Sequence, residues 1–162
     1  MRWENWSVPD PASGEVQLQH TAIGVNFADT YHRSGISHPW RVPKPPVVIG
    51  FEGVGLVTEV ADDVTTFKKG DRVAYAIPPL GSYSEIRNYP ADKLLHLPNN
   101  LDDKQVAPLL MRGMTAHYLL RRTYRVKKGD TILVHAAAGG MGLILCQWAK
   151  ALGAIVIGTV ST

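Results

Sequence analysis

The sequence predicts an α/β fold in two parts: a β-rich N-terminal part, then the opening of a parallel α/β unit. Three observations carry this. Between Glu15 and Leu97, short apolar–polar alternations are punctuated by Gly, Pro, Asn and Asp, the pattern of a compact β-barrel-like domain. From Thr131 an apolar strand runs into the turn Ala136-Ala-Ala-Gly-Gly-Met-Gly142, and Leu143 to Leu152 continues as an amphipathic helix. A second apolar run, Ala154 to Val160, follows. Strand, glycine turn, helix and strand in that order open a dinucleotide-binding βαβ unit. The expected division is residues 1–110 for the β-rich domain and 111–162 for the start of the nucleotide-binding domain, which stops before completion.

The elements can be justified in order. Glu15 to Ala22 alternates polar and apolar residues, as a half-buried strand does. Asn26 can cap a short helix that stops near Gly35, with Asp29 at N3 beside the orphan backbone amides. His38 to Pro46 holds four prolines and reads as an irregular loop. Val47 to Val60 reads as one strand, with Gly50, Gly53 and Gly55 marking bends or close backbone approach. Lys68-Lys-Gly-Asp71 turns into a strand, Arg72 to Ala76, and Ser82–Asn88 and Lys93–Leu97 give two more around Pro90. Pro98 to Asp102 opens a helical region that Pro108 and Gly113 break in two, the second helix running from Thr115 to about Tyr124. Lys127-Lys-Gly-Asp130 repeats the earlier turn type and leads into the βαβ unit.

Composition narrows the classes. An apolar share of 45% and a charged share of 19% fit a globular protein with a real core. No window approaches the roughly 18 consecutive apolar residues of a membrane helix, and Met1 to Trp6 carries no apolar stretch of signal-peptide type. The single cysteine, Cys146, sits on the apolar face of the last predicted helix and packs there. It has no internal disulfide partner, and zinc-type CxxC spacing is absent. A reducing, cytoplasmic setting without membrane attachment follows as the expectation. Net charge is +3, and Arg112, Arg121, Arg122, Arg125, Lys127 and Lys128 form the densest basic cluster. A solvated helix end explains that cluster better than nucleic-acid binding does.

The glycine turn is the main chemical signal. Gly139 and Gly142 take the second and third positions of the dinucleotide fingerprint, with Ala137 in place of the first. Gly139 lets the backbone approach a pyrophosphate, Gly142 lets the helix pack close to the strand, and the helix N-terminus supplies amides and positive dipole. About 20 residues on, NAD-binding relatives of this motif place an acid against the ribose 2′-hydroxyl. Here Gly158-Thr-Val-Ser161 stands instead. No carboxylate repels a 2′-phosphate, and Thr159 or Ser161 can donate to one, so NADPH is favoured over NADH.

Taken together, the chain resembles the zinc-independent quinone oxidoreductases of the medium-chain dehydrogenase/reductase superfamily, the zeta-crystallin-like branch. The matching stretches are Gly24-Val-Asn-Phe-Ala-Asp-Thr-Tyr-His-Arg-Ser-Gly35, Gly50-Phe-Glu-Gly-Val-Gly55, Gly70-Asp-Arg-Val73, Gly113-Met-Thr-Ala116 and His135 to Gly142, continuing through Gln147–Ala154 and Gly158–Val160. The resemblance implies a GroES-like β-barrel substrate domain followed by a Rossmann domain, with NADPH in the cleft between them. It implies a homodimer for the full-length form, and a chain incomplete at both ends. Carried over by motif, Asn26 and Tyr31 are the catalytic candidates. Phe27, Ala28, Asp29, Thr30 and Tyr31 would line the cofactor cleft, and Thr115 would sit beside the nicotinamide ribose. Ala137, Ala138, Gly139, Gly140, Met141 and Gly142 would hold the pyrophosphate, and Gly158, Thr159, Val160 and Ser161 the adenosine side. Zinc-dependent relatives have a cysteine at Asn26 and a histidine at Phe51, so no metal is expected, since zinc needs about three converging N, S or O ligands.

The implied reaction moves reducing equivalents from NADPH to a quinone. The cofactor carries the hydride, and the protein supplies orientation and polarisation. Tyr31 is the candidate donor to the acceptor oxygen, and Asn26 the residue that orients nicotinamide or substrate. Glu52 reads equally as a site carboxylate or an ion-pair partner. Two alternatives stand beside this: reduction of the double bond of a conjugated enal or enone by similar machinery, and an inactive fragment acting as an interaction module.

Overall fold

A computed structural model describes residues 1–35 and 45–161. The chain forms two compact units, Met1–Leu110 and Met111–Thr162. The first holds β1 (Glu15–Ile23), α1 (Phe27–Ser34), β2 (Gly53–Val60), β3 (Arg72–Tyr75), β4 (Ile86–Pro90), β5 (Leu95–His96) and α2 (Asp103–Val106). Its strands pair antiparallel in the order β4-β1-β2-β3-β5. Period-two side-chain alternation sorts the sheet into two apolar faces. Val16, Leu18, Val57, Val73, Tyr75 and Tyr89 pack with Phe67, Ala91 and Leu94, while Val54 and Ala74 pack with Leu97 and Ala107. Asp102 caps α2, accepting from the Gln105 N–H at 3.1 Å.

The first core contains a buried arginine. Arg87 is 8% exposed and lies over the rings of Tyr75 and Tyr89, 5.3 and 4.7 Å from their centroids. Its guanidinium donates to the carbonyls of Pro79 and Leu80 at 3.1 and 3.0 Å and to the Tyr75 hydroxyl at 3.3 Å. Carbonyl acceptors and ring faces thus replace a carboxylate partner in satisfying the buried charge.

The second unit takes in α3 (Leu110–Tyr118) from Met111 onward, and α3 ends in a π-type turn, Leu119–Thr123. β6 (Thr131–Val134), α4 (Gly140–Ala151) and β7 (Ile155–Gly158) form the βαβ unit, with β6 and β7 parallel and Thr131 opposite Ile155. Leu120, Val126 and Ala149 centre its core, with Ile132, Leu145, Trp148, Leu152 and Val156 packed around them. Both KKGD turns use one device. Asp71 accepts from the Lys68 N–H at 2.9 Å and Asp130 from the Lys127 N–H at 2.8 Å, with Gly70 and Gly129 left-handed at φ 91° and 89°.

Several predicted boundaries move. Of the strand expected over Val47–Val60, only Gly53–Val60 forms. Gly50 turns left-handed at φ 87°, and its carbonyl accepts from the Gly81 and Ser82 amides rather than from a ladder. The strand expected from Ser82 begins at Ile86, because Gly81–Ser84 closes a turn with Ser84 Oγ on the Gly81 carbonyl at 2.7 Å. Lys93–Leu97 yields a two-residue strand after a 3₁₀ turn at Ala91–Lys93. Gly113 does not break its helix: α3 runs through it from Leu110, since glycine weakens a helix by only about 1 kcal/mol while Pro108 removes a donor. The loop expected at His38–Pro46 lies largely outside the described residues.

Candidate functional site

The N-terminus of α1 builds a buried polar cluster. Asn26 is the N-cap, and the N3 carboxylate of Asp29 accepts from its backbone N–H at 2.8 Å through Oδ2. The Asn26 side chain also donates from Nδ2 to Glu52 Oε2 at 2.6 Å. Tyr83 donates its hydroxyl to Asp29 Oδ2 at 2.9 Å. Asn26, Asp29 and Glu52 are 8%, 4% and 0% exposed. Gly24 makes the cluster possible: a Cβ there would collide with the Glu52 carboxylate and the Ala107 carbonyl. Burial and the neighbouring Asp29 carboxylate push the Tyr83 phenol up to about 12, so it remains a donor at neutral pH. Among the described residues, Asp29 Oδ1 and His32 Nδ1 are buried without a hydrogen-bond partner, and the His32 ring meets Phe51 edge-on at 6.0 Å.

Along the same helix, Phe27 is 75% exposed and packs edge-on against Tyr31, ring centroids 5.4 Å apart. Tyr31 and Ala28 are half-buried. Thr30 donates back to the Phe27 carbonyl at 2.6 Å. The structure therefore brings Asn26 and Asp29 together with Glu52 and Tyr83, and sets Phe27 beside Tyr31. Sequence reading had left Glu52 open between two roles and had missed Tyr83. Tyr83 lies 54 residues from Asp29, and no local spacing connects them.

A second polar group sits behind the sheet. His20 meets the Ser84 carbonyl through Nδ1 at 2.6 Å and the Tyr75 hydroxyl through Nε2 at 2.7 Å. Burial lowers its pKa to about 4, and Arg87 adds repulsion against the charged form, while the Ser84 carbonyl opposes the shift. His20 is neutral at physiological pH. Trp3, His20, Ile23, Tyr83 and Glu85 line a shallow cavity of about 360 Å³ beside it.

In the second unit the glycine turn takes shape around α4. Ala136 is left-handed at φ 51°, and the Gly139 N–H donates to its carbonyl at 2.8 Å. A Cβ on Gly142 would collide with the Ala136 carbonyl and lie 2.6 Å from Ala137 Cα, so the helix seats directly on the turn. A Cβ on Gly158 would lie 2.6 Å from Ala137 Cβ. Thr159 ties the turn to the end of β7: its carbonyl accepts from the Ala137 N–H at 2.9 Å, and its hydroxyl lies 3.1 Å from His135 Nδ1. The Thr159 hydroxyl, which with Ser161 is one of two candidate donors to a phosphate, lies against the turn in this structure. Ala138, Gly139, Gly140, Val160 and Ser161 are exposed, and Met141 is half-buried. Thr115 donates its hydroxyl to the Met111 carbonyl at 2.8 Å.

Among the described residues, no three His, Cys, Asp or Glu side chains converge. No described helix is long and apolar enough to cross a membrane. Arg121, Arg122, Arg125, Lys127 and Lys128 are exposed around the π-type turn, whereas Arg112 is half-buried.

Residues 12–99 match the family model of the alcohol dehydrogenase GroES-like domain. The chain belongs to that family. Among its relatives, a 2-haloacrylate reductase of a Burkholderia species is 56% identical over 99% of this chain and 49% of its own length. Quinone oxidoreductase 1 of Escherichia coli K12 is 50% identical over 94% of this chain and 46% of its own length. The solved structure of the E. coli quinone oxidoreductase complexed with NADPH superposes with a TM-score of 0.92 at 48% identity, covering 98% of this chain and 48% of that one. These relatives put this GroES-like family member in the quinone oxidoreductase, zeta-crystallin-like, branch of the medium-chain superfamily. The chain spans about half the length of the curated relatives it matches.

Proposed function

We propose that this chain forms the substrate-domain and glycine-turn parts of an NADPH-dependent, zinc-free quinone oxidoreductase. The observation that carries the reading is the β6–turn–α4–β7 unit, in a chain similar throughout to a quinone oxidoreductase complexed with NADPH. The residues fit the cofactor. α4 has Gly139 as its N-cap, with no side-chain cap bond and no acidic residue in its first turn, so its orphan amides are left for an anion. In this reading Ala137 to Gly142 hold the pyrophosphate. Gly158 to Ser161 border the adenosine side, and Ser161 leaves room for a 2′-phosphate where an acid would repel it.

Bound NADPH supplies the hydride. The chain's own residues orient and polarise. Glu52 fixes the Asn26 amide by taking its N–H. Tyr31 donates its phenol to the acceptor oxygen and gives up the proton that balances the hydride. Exposed Phe27 offers a flat apolar surface beside it, suited to a planar ring. The positions of Asn26 and Phe51 supply no thiolate or imidazole ligand, so polarisation falls to Tyr31 rather than to a metal.

A second reading is favoured by the 56% identical 2-haloacrylate reductase: the acceptor is an electron-poor carbon–carbon double bond. The two are separated by measuring kcat/KM of the intact protein with NADPH against 1,4-benzoquinone and against 2-chloroacrylate. A higher value for the quinone supports the first reading; a higher value for the acrylate replaces it with the second. Consumption of NADPH with neither overturns both.

A further inference from the structure

The two oxygens of the buried Asp29 carboxylate have different surroundings. Oδ2 accepts twice, from the Asn26 N–H at 2.8 Å and from the Tyr83 hydroxyl at 2.9 Å. Oδ1 is buried and, among the described residues, has no hydrogen-bond partner. The start of a helix needs only the bond to Asn26. The phenol is an addition, brought from 54 residues away and held in place from several sides. The Tyr83 N–H donates to the Ile49 carbonyl at 3.0 Å, the Gly81 and Ser82 amides donate to the Gly50 carbonyl, and the His20 ring meets the Ser84 carbonyl at 2.6 Å. Gly50 leaves space for the ring, because a Cβ there would collide with Tyr83 Cδ1 and Ser82 Oγ.

With both bonds on Oδ2, the carboxylate cannot turn without breaking them, so Oδ1 is held in one direction. A buried acceptor left unsatisfied is costly and calls for a partner. The chemistry of that partner is narrow. A carboxylate oxygen accepts and does not donate, so it needs an N–H or O–H. It repels phosphate oxygens. One end of a dinucleotide meets both conditions: the nicotinamide riboside, with its carboxamide N–H groups and ribose hydroxyls. We propose that Asp29 Oδ1 accepts a hydrogen bond from the nicotinamide riboside end of the cofactor, and that Tyr83 is the positioning residue that holds the carboxylate for it. This rests on the reading of the chain as NADPH-dependent, with α1 lining the cofactor cleft.

The test is equilibrium binding of two ligands to the intact protein: NADPH, and adenosine 2′,5′-bisphosphate, which carries the adenosine side without the nicotinamide riboside. Tyr83→Phe keeps the ring and removes the hydroxyl. It should weaken NADPH by roughly tenfold, the scale of one lost charge-assisted contact, and leave adenosine 2′,5′-bisphosphate unchanged. A merely structural role would weaken both alike, and that result overturns the proposal. Unchanged NADPH affinity in a folded Tyr83→Phe protein overturns it as well. Asp29→Ala should also weaken NADPH selectively, and adding Tyr83→Phe to it should cost nothing more. A full further loss in the double variant would show that Tyr83 does not act through Asp29. Unfolding of the unliganded proteins is compared alongside, and if the alanine variants do not fold, the ligand comparison in Tyr83→Phe decides alone. Failure of the native protein to bind either ligand overturns the underlying dinucleotide reading, and is thereby distinguishable from failure of Tyr83 and Asp29.

Discussion

His20 shows how a single buried side chain sets a pH limit. Its folded pKa of about 4 lies below the ordinary 6.5 because burial beside Tyr75 and Arg87 disfavours the cation. The unfolded chain takes up a proton near pH 6.5 that the folded protein refuses. Stability is therefore full above pH 6.5, falls as pH drops toward 4, and levels off below that. The loss is on the order of 3 kcal/mol. Denaturant unfolding of the native protein and His20→Gln at pH 7 and pH 4.5 should show a smaller acid loss in the variant. Equal losses would remove His20 from the account. The Asn26–Glu52 contact predicts a coupling. Asn26→Ala, Glu52→Ala and the double variant should form a non-additive cycle with an interaction of at least ~1 kcal/mol, since each single change removes one side of a buried polar contact. Additive losses would mean that the 2.6 Å contact contributes nothing.

At the level of elements, α4 depends on Gly142. Substitution by alanine drives a Cβ into the Ala136 carbonyl, so the helix must lift from the turn. Gly142→Ala in the intact protein should weaken NADPH binding by about tenfold or more, with a lowered melting temperature. Unchanged binding would mean that the turn tolerates displacement. Much of this level was legible in the sequence. The two KKGD turns, the Gly35 helix end and the β6–α4–β7 order follow from local chemistry: an Asp reaching back to an amide, a glycine in the left-handed region, a change of period. What was not legible depends on distant partners. Val47–Glu52 has strand composition, but Gly50 gives its carbonyl to Gly81 and Ser82. Arg87 is buried because Tyr75, Tyr89, Pro79 and Leu80 meet there, which no local pattern announces. Tyr83 reaches Asp29 for the same kind of reason. Of the candidate residues, those of α1 and, separately, those of the glycine turn were visible as motifs; the carboxylate and phenol that brace α1 were visible only once folded.

At the scale of the molecule, the β6–β7 sheet buries one face only. Ile132 and Val156 pack under α4, while Leu133, Ile155 and Ile157 are 58%, 59% and 53% exposed on the other side. Two parallel strands with open edges and one bare apolar face invite association. Residues 1–162 should self-associate in light scattering; a monodisperse monomer would show that this face needs no cover. The cofactor reading extends to Ser161. In the intact protein Ser161→Asp should shift preference from NADPH toward NADH, and an unchanged preference would mean that the 2′-phosphate is read elsewhere. The central claim is a metal-free reductase in which Tyr31 polarises the acceptor. Its most direct test is NADPH oxidation with 1,4-benzoquinone by intact protein stripped with a strong chelator and assayed for zinc. The account predicts full turnover with far less than one zinc per chain; turnover lost on stripping and restored by zinc would contradict it.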